Sequence, residues 1–141
     1  MGRRFVFRVL LFLGLLLPAT AVAATLEVEI IGLASDKGDV HVALYDNPDT
    51  FPDSDGMRVK TEVLPEGRIA RVTFRDLPPG RYVVAVYHDE NGNDEFDQGF
   101  LGIPLEDYGF SNDTPVFLGP PSFGDAAFDV IEPSVSIRIN L

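Results

Sequence analysis

The sequence contains no cysteine and only two histidines among its 141 residues. Without Cys there is no disulfide framework, no thiolate metal site, no Cys nucleophile and no lipidated-cysteine anchor. Positive charge is scarce as well: 11 Lys and Arg face 22 Asp and Glu, a net charge of −11. That balance excludes a nucleic-acid partner, because nothing here neutralises a run of phosphates. No stretch carries the 3.6-residue periodicity of an amphipathic helix. There is no nucleophile elbow, no Gly-rich phosphate loop and no metalloprotease helix. What is present is 45% hydrophobic residues, the content of a folded chain, at a length that suits one domain.

The N-terminal stretch reads as a secretory signal peptide over residues 1–23. Arg3, Arg4 and Arg8 form a basic region, Val9 to Leu17 is an apolar run, Pro18 breaks it, and Ala21-Val22-Ala23 has the small-x-small form of a cleavage site. The run is nine residues, too short to span a bilayer core of about 30 Å. Cleavage after Ala23 removes three arginines and no acid, leaving 118 residues with eight basic groups against 22 acids, a net −14. The expected location is the periplasm or the exterior, with no membrane span in the mature chain 24–141.

Through the mature chain the dominant signal is period-two alternation. Leu26, Val28 and Ile30 alternate with polar neighbours, as do Val40, Val42 and Leu44 with His41, Ala43 and Tyr45. The turn cluster Ser35-Asp36-Lys37-Gly38 between them predicts a hairpin. Arg58 to Leu64 reads as a short polar edge strand, and Ala70, Val72 and Phe74 as the inward side of another. Tyr82 to His88 is the most apolar strand, hence the sheet centre. Ala126–Ile131 and Val135–Leu141 complete the set. About seven short strands separated by turns predict an all-β fold, a single immunoglobulin-like or transthyretin-like β-sandwich. Leu77-Pro78-Pro79-Gly80-Arg81-Tyr82 has the shape of a sandwich corner in which a tyrosine hydroxyl bonds back to the turn.

Residues 89–125 break the pattern: 37 residues with no strand signal but many apolar side chains, including Phe96, Phe100, Tyr108, Phe110, Phe117 and Phe123. Loops beyond about 15 residues are functional or disordered, and this one is too apolar to stay solvated. It reads as a packed functional loop near the C-terminal end. It opens with Asp89-Glu90-Asn91-Gly92-Asn93-Asp94-Glu95-Phe96-Asp97, which places oxygen-bearing residues at alternate positions. Calcium takes six to eight hard oxygen ligands from such curled loops. Asp89, Asn91 and Asn93 would ligate through side-chain oxygens, Glu95 through its backbone carbonyl, and Asp97 directly or through water. Phe96 would anchor the loop, and Glu106, Asp107 and Asp113 are the nearest sources of a further ligand. The alternative is a bare turn, since Asn91-Gly92 is a strong turn signal by itself. No Lys or Arg lies between Arg81 and Arg138, so these acids have no basic neighbour in sequence.

Weaker features complete the survey. Asp49, Asp53 and Asp55 form a second acidic loop that reads as an ordinary polar turn. His88 shares a strand face with Val84 and Val86; it reads as a hydrogen-bonded, partly buried residue, with a base or metal ligand as the alternative. His41 reads as an outward strand residue. Tyr108, Phe110 and Asn112 could stack on a sugar ring or receive a peptide, or else cap the sandwich end.

Asp36-Lys37-Gly38, Val42 to Asp46, Leu77 to Tyr82, His88 to Asn93, Phe100 to Pro104, Glu106 to Asn112 and Gly119 to Phe123 together carry a family pattern. On these blocks the chain resembles the bacterial secreted family known as domain of unknown function 2141, over essentially the whole mature chain. The resemblance implies an exported single β-sandwich and implies no activity. In such relatives the position of Asp94 is usually Gly.

The expected function is that of an exported, non-catalytic binding protein whose loop 89–97 is ordered by calcium, with a protein, carbohydrate or small molecule as partner. No residue reads as catalytic. The rivals are a small periplasmic hydrolase or isomerase using His88 with loop carboxylates, and a structural subunit that offers the 58–64 sheet edge for strand addition.

Overall fold

The structure is a computed structural model and describes residues 22–141. The signal-peptide reading lies outside the described residues for all but its last two positions. Among the described residues there are eight strands: β1 (Ala24–Ile31), β2 (Asp39–Tyr45), β3 (Val59–Val63), β4 (Ala70–Leu77), β5 (Gly80–Asp89), β6 (Tyr108–Phe110), β7 (Phe128–Val130) and β8 (Ser134–Asn140). They form two sheets. One has three strands in the order β4-β1-β8, with β1 antiparallel to β4 and parallel to β8. The other runs β3-β2-β5-β6, and β7 also pairs with β5. Among the described residues the only α-helix is the single turn Phe123–Ala126, so the all-β sandwich expected from alternation is the fold.

The inner faces hold the residues the alternation assigns to them. Leu26, Val28 and Ile30 of β1, Val72 and Phe74 of β4 and Ile139 of β8 pack against Val40, Val42 and Leu44 of β2 and Val84 and Val86 of β5. Each fully buried aliphatic side chain of this kind contributes about 1.5–3 kcal/mol. Tyr82 is buried and its hydroxyl donates to the Pro78 carbonyl at 2.7 Å, so the predicted tyrosine corner is formed.

Two expectations fail on connectivity. β1 and β2 are not a hairpin but belong to different sheets. Gly32, at φ +82, turns the chain as it leaves β1, and Leu33, buried in the core, carries it across the sandwich. Alternation reports which face a residue occupies, not which strand lies beside it. The 89–125 stretch also contains a strand, β6, whose three residues are too few to show a period.

β6 and β7 share one edge of β5. β6 pairs at Ala85 to Tyr87 and β7 at Gly80 to Tyr82. The Val84 N–H, between the two, is served by the buried Ser111 hydroxyl, which accepts it at 3.1 Å and donates to the Ala126 carbonyl at 2.6 Å. One side chain thus stands in for a ladder hydrogen bond in the gap. The segment between β5 and β7 then lies over the outer face of the five-stranded sheet, where Phe110, Ala126 and Ala127 build a second core with Tyr45 and Val83.

Candidate metal centre on the covered face

Strand register fixes what the covered face presents. Side chains at Glu62, His41, Tyr87 and Tyr108 form one row across β3, β2, β5 and β6, and Lys60, Ala43, Ala85 and Phe110 form the next. His41 therefore points outward as the alternation requires, yet it is only 2% exposed. It is stacked on Tyr87, with ring centroids 4.5 Å apart and planes 11° from parallel. The cover that buries it comes from residues some 50 positions downstream, which no local pattern reports.

Around the His41 ring gather Asp39, two residues earlier on the same face of β2, Asp89 at the end of β5, and Asp94 in the following loop. One ligand atom from each of these four residues lies within 4.8 Å of all the others. His41 Nε2 is 3.2 Å from Asp39 Oδ1, 3.6 Å from Asp89 Oδ2 and 3.8 Å from Asp94 Oδ1, and Nδ1 is 3.5 Å from Glu62 Oε1. Among the described residues neither ring nitrogen, nor Asp39 Oδ1, has a hydrogen-bond partner. The carboxylates approach the ring without the alignment a hydrogen bond needs, and a buried polar atom without a partner costs about 1–3 kcal/mol. Two ligands each about 2.1 Å from a shared ion at tetrahedral angles are about 3.4 Å apart. The distances from His41 Nε2, 3.2–3.8 Å, lie near that value, and the group could hold a metal ion.

The loop after β5 is built to orient Asp89. Its Oδ1 accepts the N–H groups of Gly92 at 2.7 Å and Asn93 at 3.2 Å, and its Oδ2 accepts that of Asp94 at 2.7 Å. Burial alone would raise the Asp89 carboxyl, but the N–H groups of Asp94, Asn93 and Gly92 and the charge of His41 lower it overall. Asp89 is therefore a carboxylate at neutral pH although it is wholly buried. Asp94 takes the left-handed conformation, φ +62, that the bend demands, and of the four it is the one whose side chain is mostly exposed.

The nine-residue calcium frame is split between two clusters. Asn91 and Asn93 both donate their amides to the Asp97 carboxylate, Asn93 at 3.1 and 3.2 Å, so these three side chains converge. The amide oxygens of Asn91 and Asn93 accept the N–H groups of Asn93 and Glu95 at 3.0 Å. Asp89 instead turns to His41. Glu106 closes the far side: its Oε2 accepts the Asp97 N–H at 3.0 Å, while Oε1 is buried without a partner. Burial, with the Asp89 and Asp97 charges, raises the Glu106 carboxyl. Phe96 packs between Tyr87 and Tyr108, 5.4 Å from each, as the anchor it was expected to be.

The other sequence candidates fall elsewhere. His88 lies in the core at 1% exposure with Nε2 2.8 Å from the Lys37 carbonyl, sealed from solvent. Gly38, next to that carbonyl, packs so closely under β5 that a Cβ there would sit 1.8 Å from the Asp89 carbonyl oxygen. Tyr108 and Phe110 stand on the covered face in the two rows just described. The Asn112 amide is spent on the carbonyls of Asp125 and Ala127 at 3.4 and 3.1 Å, fastening the cover. The 58–64 strand is the edge of the five-stranded sheet. Sequence reasoning missed Asp39 and the role of His41. The available signal was Asp39-Val40-His41, two polar ligand types on one strand face.

Fold and site together define a β-sandwich with a buried Asp and His group under a loop cover. The chain belongs to domain of unknown function 2141, whose model, described as an uncharacterised protein conserved in bacteria, matches residues 28–138. No curated protein and no solved structure matches. Among the described residues no helix is long and apolar enough to cross a membrane.

Proposed function

We propose that this is an exported metal-binding protein that holds a divalent first-row transition cation, zinc being the simplest case, through Asp39, His41, Asp89 and Asp94. The observation that carries the reading is the buried His41 ring, both nitrogens without a hydrogen bond, facing three carboxylates at 3.2–3.8 Å. One imidazole and three carboxylates suit zinc or a similar borderline ion better than calcium, which prefers oxygen alone. A divalent ion would also offset the charge of three carboxylates gathered at one buried ring. Asp94, exposed and left-handed, is the side from which the ion would enter. Calorimetric titration of chelator-stripped protein with zinc tests this: one site is expected, lost in His41→Ala. Equal heats from both proteins would overturn it.

A second reading keeps calcium in the loop, supported by the convergence of Asn91 and Asn93 on Asp97. It requires both amides to turn their oxygens toward Asp97, with the Glu95 carbonyl, Asp89 and Glu106 completing the shell. Asp97→Asn separates the two, since it should weaken calcium and leave zinc unchanged. The burial of His88 in the core counts against the hydrolase alternative. Export rests on the basic and apolar N-terminal pattern; N-terminal sequencing of the secreted protein tests it, with a start at Ala24 expected.

A further inference from the structure

The row of side chains next to the metal centre has a gap in it. Ala43 and Ala85 are a registered cross-strand pair at the middle of the sheet, with Lys60 at one end of the row and Phe110 at the other. The rows on either side are tall: His41 and Tyr87 stand above, Tyr45 below. Two methyl groups set between large side chains leave a hollow, and the structure has a cavity of about 240 Å³ there. Its wall is continued by Phe96 and Tyr108, which pack edge to face with centroids 5.4 Å apart. An apolar cavity of about 150 Å³ is enough for a benzene ring, so this one admits a ring with a substituent.

We propose that this hollow, floored by Ala43 and Ala85, binds a flat aromatic ring carrying a carboxylate. The ring would lie on the two alanines between Tyr87 and the Phe96, Tyr108 and Phe110 edges, where offset and edge-to-face contacts are worth about 0.5–1.5 kcal/mol beyond area. The charge follows from the wall: Lys60 is its single Lys or Arg, and no Asp or Glu lines it although the chain is strongly acidic. Among the described residues Lys60 is paired with the exposed Glu62 alone, 3.6 Å away, so its ammonium has donors to spare. A cationic ring would meet that ammonium at the mouth and is disfavoured. The inference does not rest on the metal reading, since His41 contributes its ring to the wall while its nitrogens face the carboxylates.

The test titrates 2-naphthoate and its neutral analogue 2-naphthamide into the full chain held in chelator, followed by amide shifts in nuclear magnetic resonance. Saturable shifts are expected at Ala43, Ala85 and Tyr87. Ala85→Leu should fill the hollow and weaken naphthoate at least tenfold while keeping the melting temperature; Ala43→Leu provides the same test if that variant folds poorly. Lys60→Gln should weaken naphthoate several-fold and leave naphthamide unchanged. Unaltered affinity in folded Leu variants, or shifts confined to the exposed Phe100-Leu101 and Phe117-Leu118 tips, would overturn the cavity. Equal binding of acid and amide in the wild type would overturn the anionic class. Because metal is absent from the titration, either failure leaves the zinc reading intact.

Discussion

On the outer face of the three-stranded sheet, Glu29 lies between two arginines, its oxygens 2.9 Å from both Arg71 and Arg138, and the Ser136 hydroxyl donates to Glu27 at 3.0 Å. On the outer face of the five-stranded sheet, Asp39, Asp89 and Asp94 collect around one buried imidazole that hydrogen-bonds to none of them. Both faces are strand surfaces with polar residues at alternate positions. One is open to water and closes its charges by pairing; the other is roofed by the β5–β7 connection and leaves them open. Exposed ion pairs contribute little, typically below about 1 kcal/mol, so the open face is balanced and asks for nothing more. The buried Asp89 carboxylate is sustained by the N–H groups of Gly92, Asn93 and Asp94 and, in our reading, by a cation shared with Asp39 and Asp94.

The strongest way to break this contrast is Asp89→Ala, which takes the anchor from three N–H groups and one proposed ligand from the cluster. We expect a loss on the order of 3 kcal/mol in denaturant unfolding, since hydrogen bonds to a charged group are worth about 1.5–3 kcal/mol each and part is regained by relief of repulsion. Zinc at about 100 times its dissociation constant should stabilise the wild type by about 2.7 kcal/mol. His41→Ala should show no such gain in a melting curve, whereas Glu29→Gln should keep it in full. Ser111→Ala, which orphans the buried Val84 N–H, should cost about 1–3 kcal/mol; hydrogen exchange should then quicken at Val84 ahead of the rest of β5.

The smallest effect belongs to the open face. Arg138 and then Arg71 hold the Glu29 carboxyl below its ordinary range. A lowered carboxyl stabilises above the unfolded-state value, about 4.3, and that contribution fades as pH falls through the folded value. Wild type and Glu29→Gln should therefore differ slightly in melting temperature near neutrality and converge in acid. A difference that grew in acid would reverse the assignment.

How far the sequence carried the reading differs between these faces. The three-stranded sheet was legible, because Leu26, Val28, Ile30, Ala70, Val72 and Phe74 obey a two-residue period and solvent covers the other side. The tyrosine corner was legible because Pro, Gly and Tyr act within five residues. The covered face was not. His41 was placed on the correct side, but its burial is imposed by distant chain, and Asp39 gained meaning only when antiparallel pairing set it opposite Asp89. The alanine pair is invisible for the same reason: Ala43 and Ala85 are unremarkable singly, and the hollow exists only through their register. The nine-residue acidic frame splits in space: its first member, Asp89, stands beside His41, whereas Asn91 and Asn93 meet Asp97.

The parallel pairing of β1 with β8 bears on the order of events as the chain folds. β1 is the middle strand of its sheet, and contacts such as Ser136 with Glu27 span 109 residues. Ile139, wholly buried, is supplied to the core by β8. β2, β3 and β5 can form as a local unit, but β1 keeps one edge unpaired until β8 docks beside it. Closure at such separation is slow relative to local pairing. The three-stranded sheet is therefore closed late in folding, and until β8 docks, β1 presents an open edge.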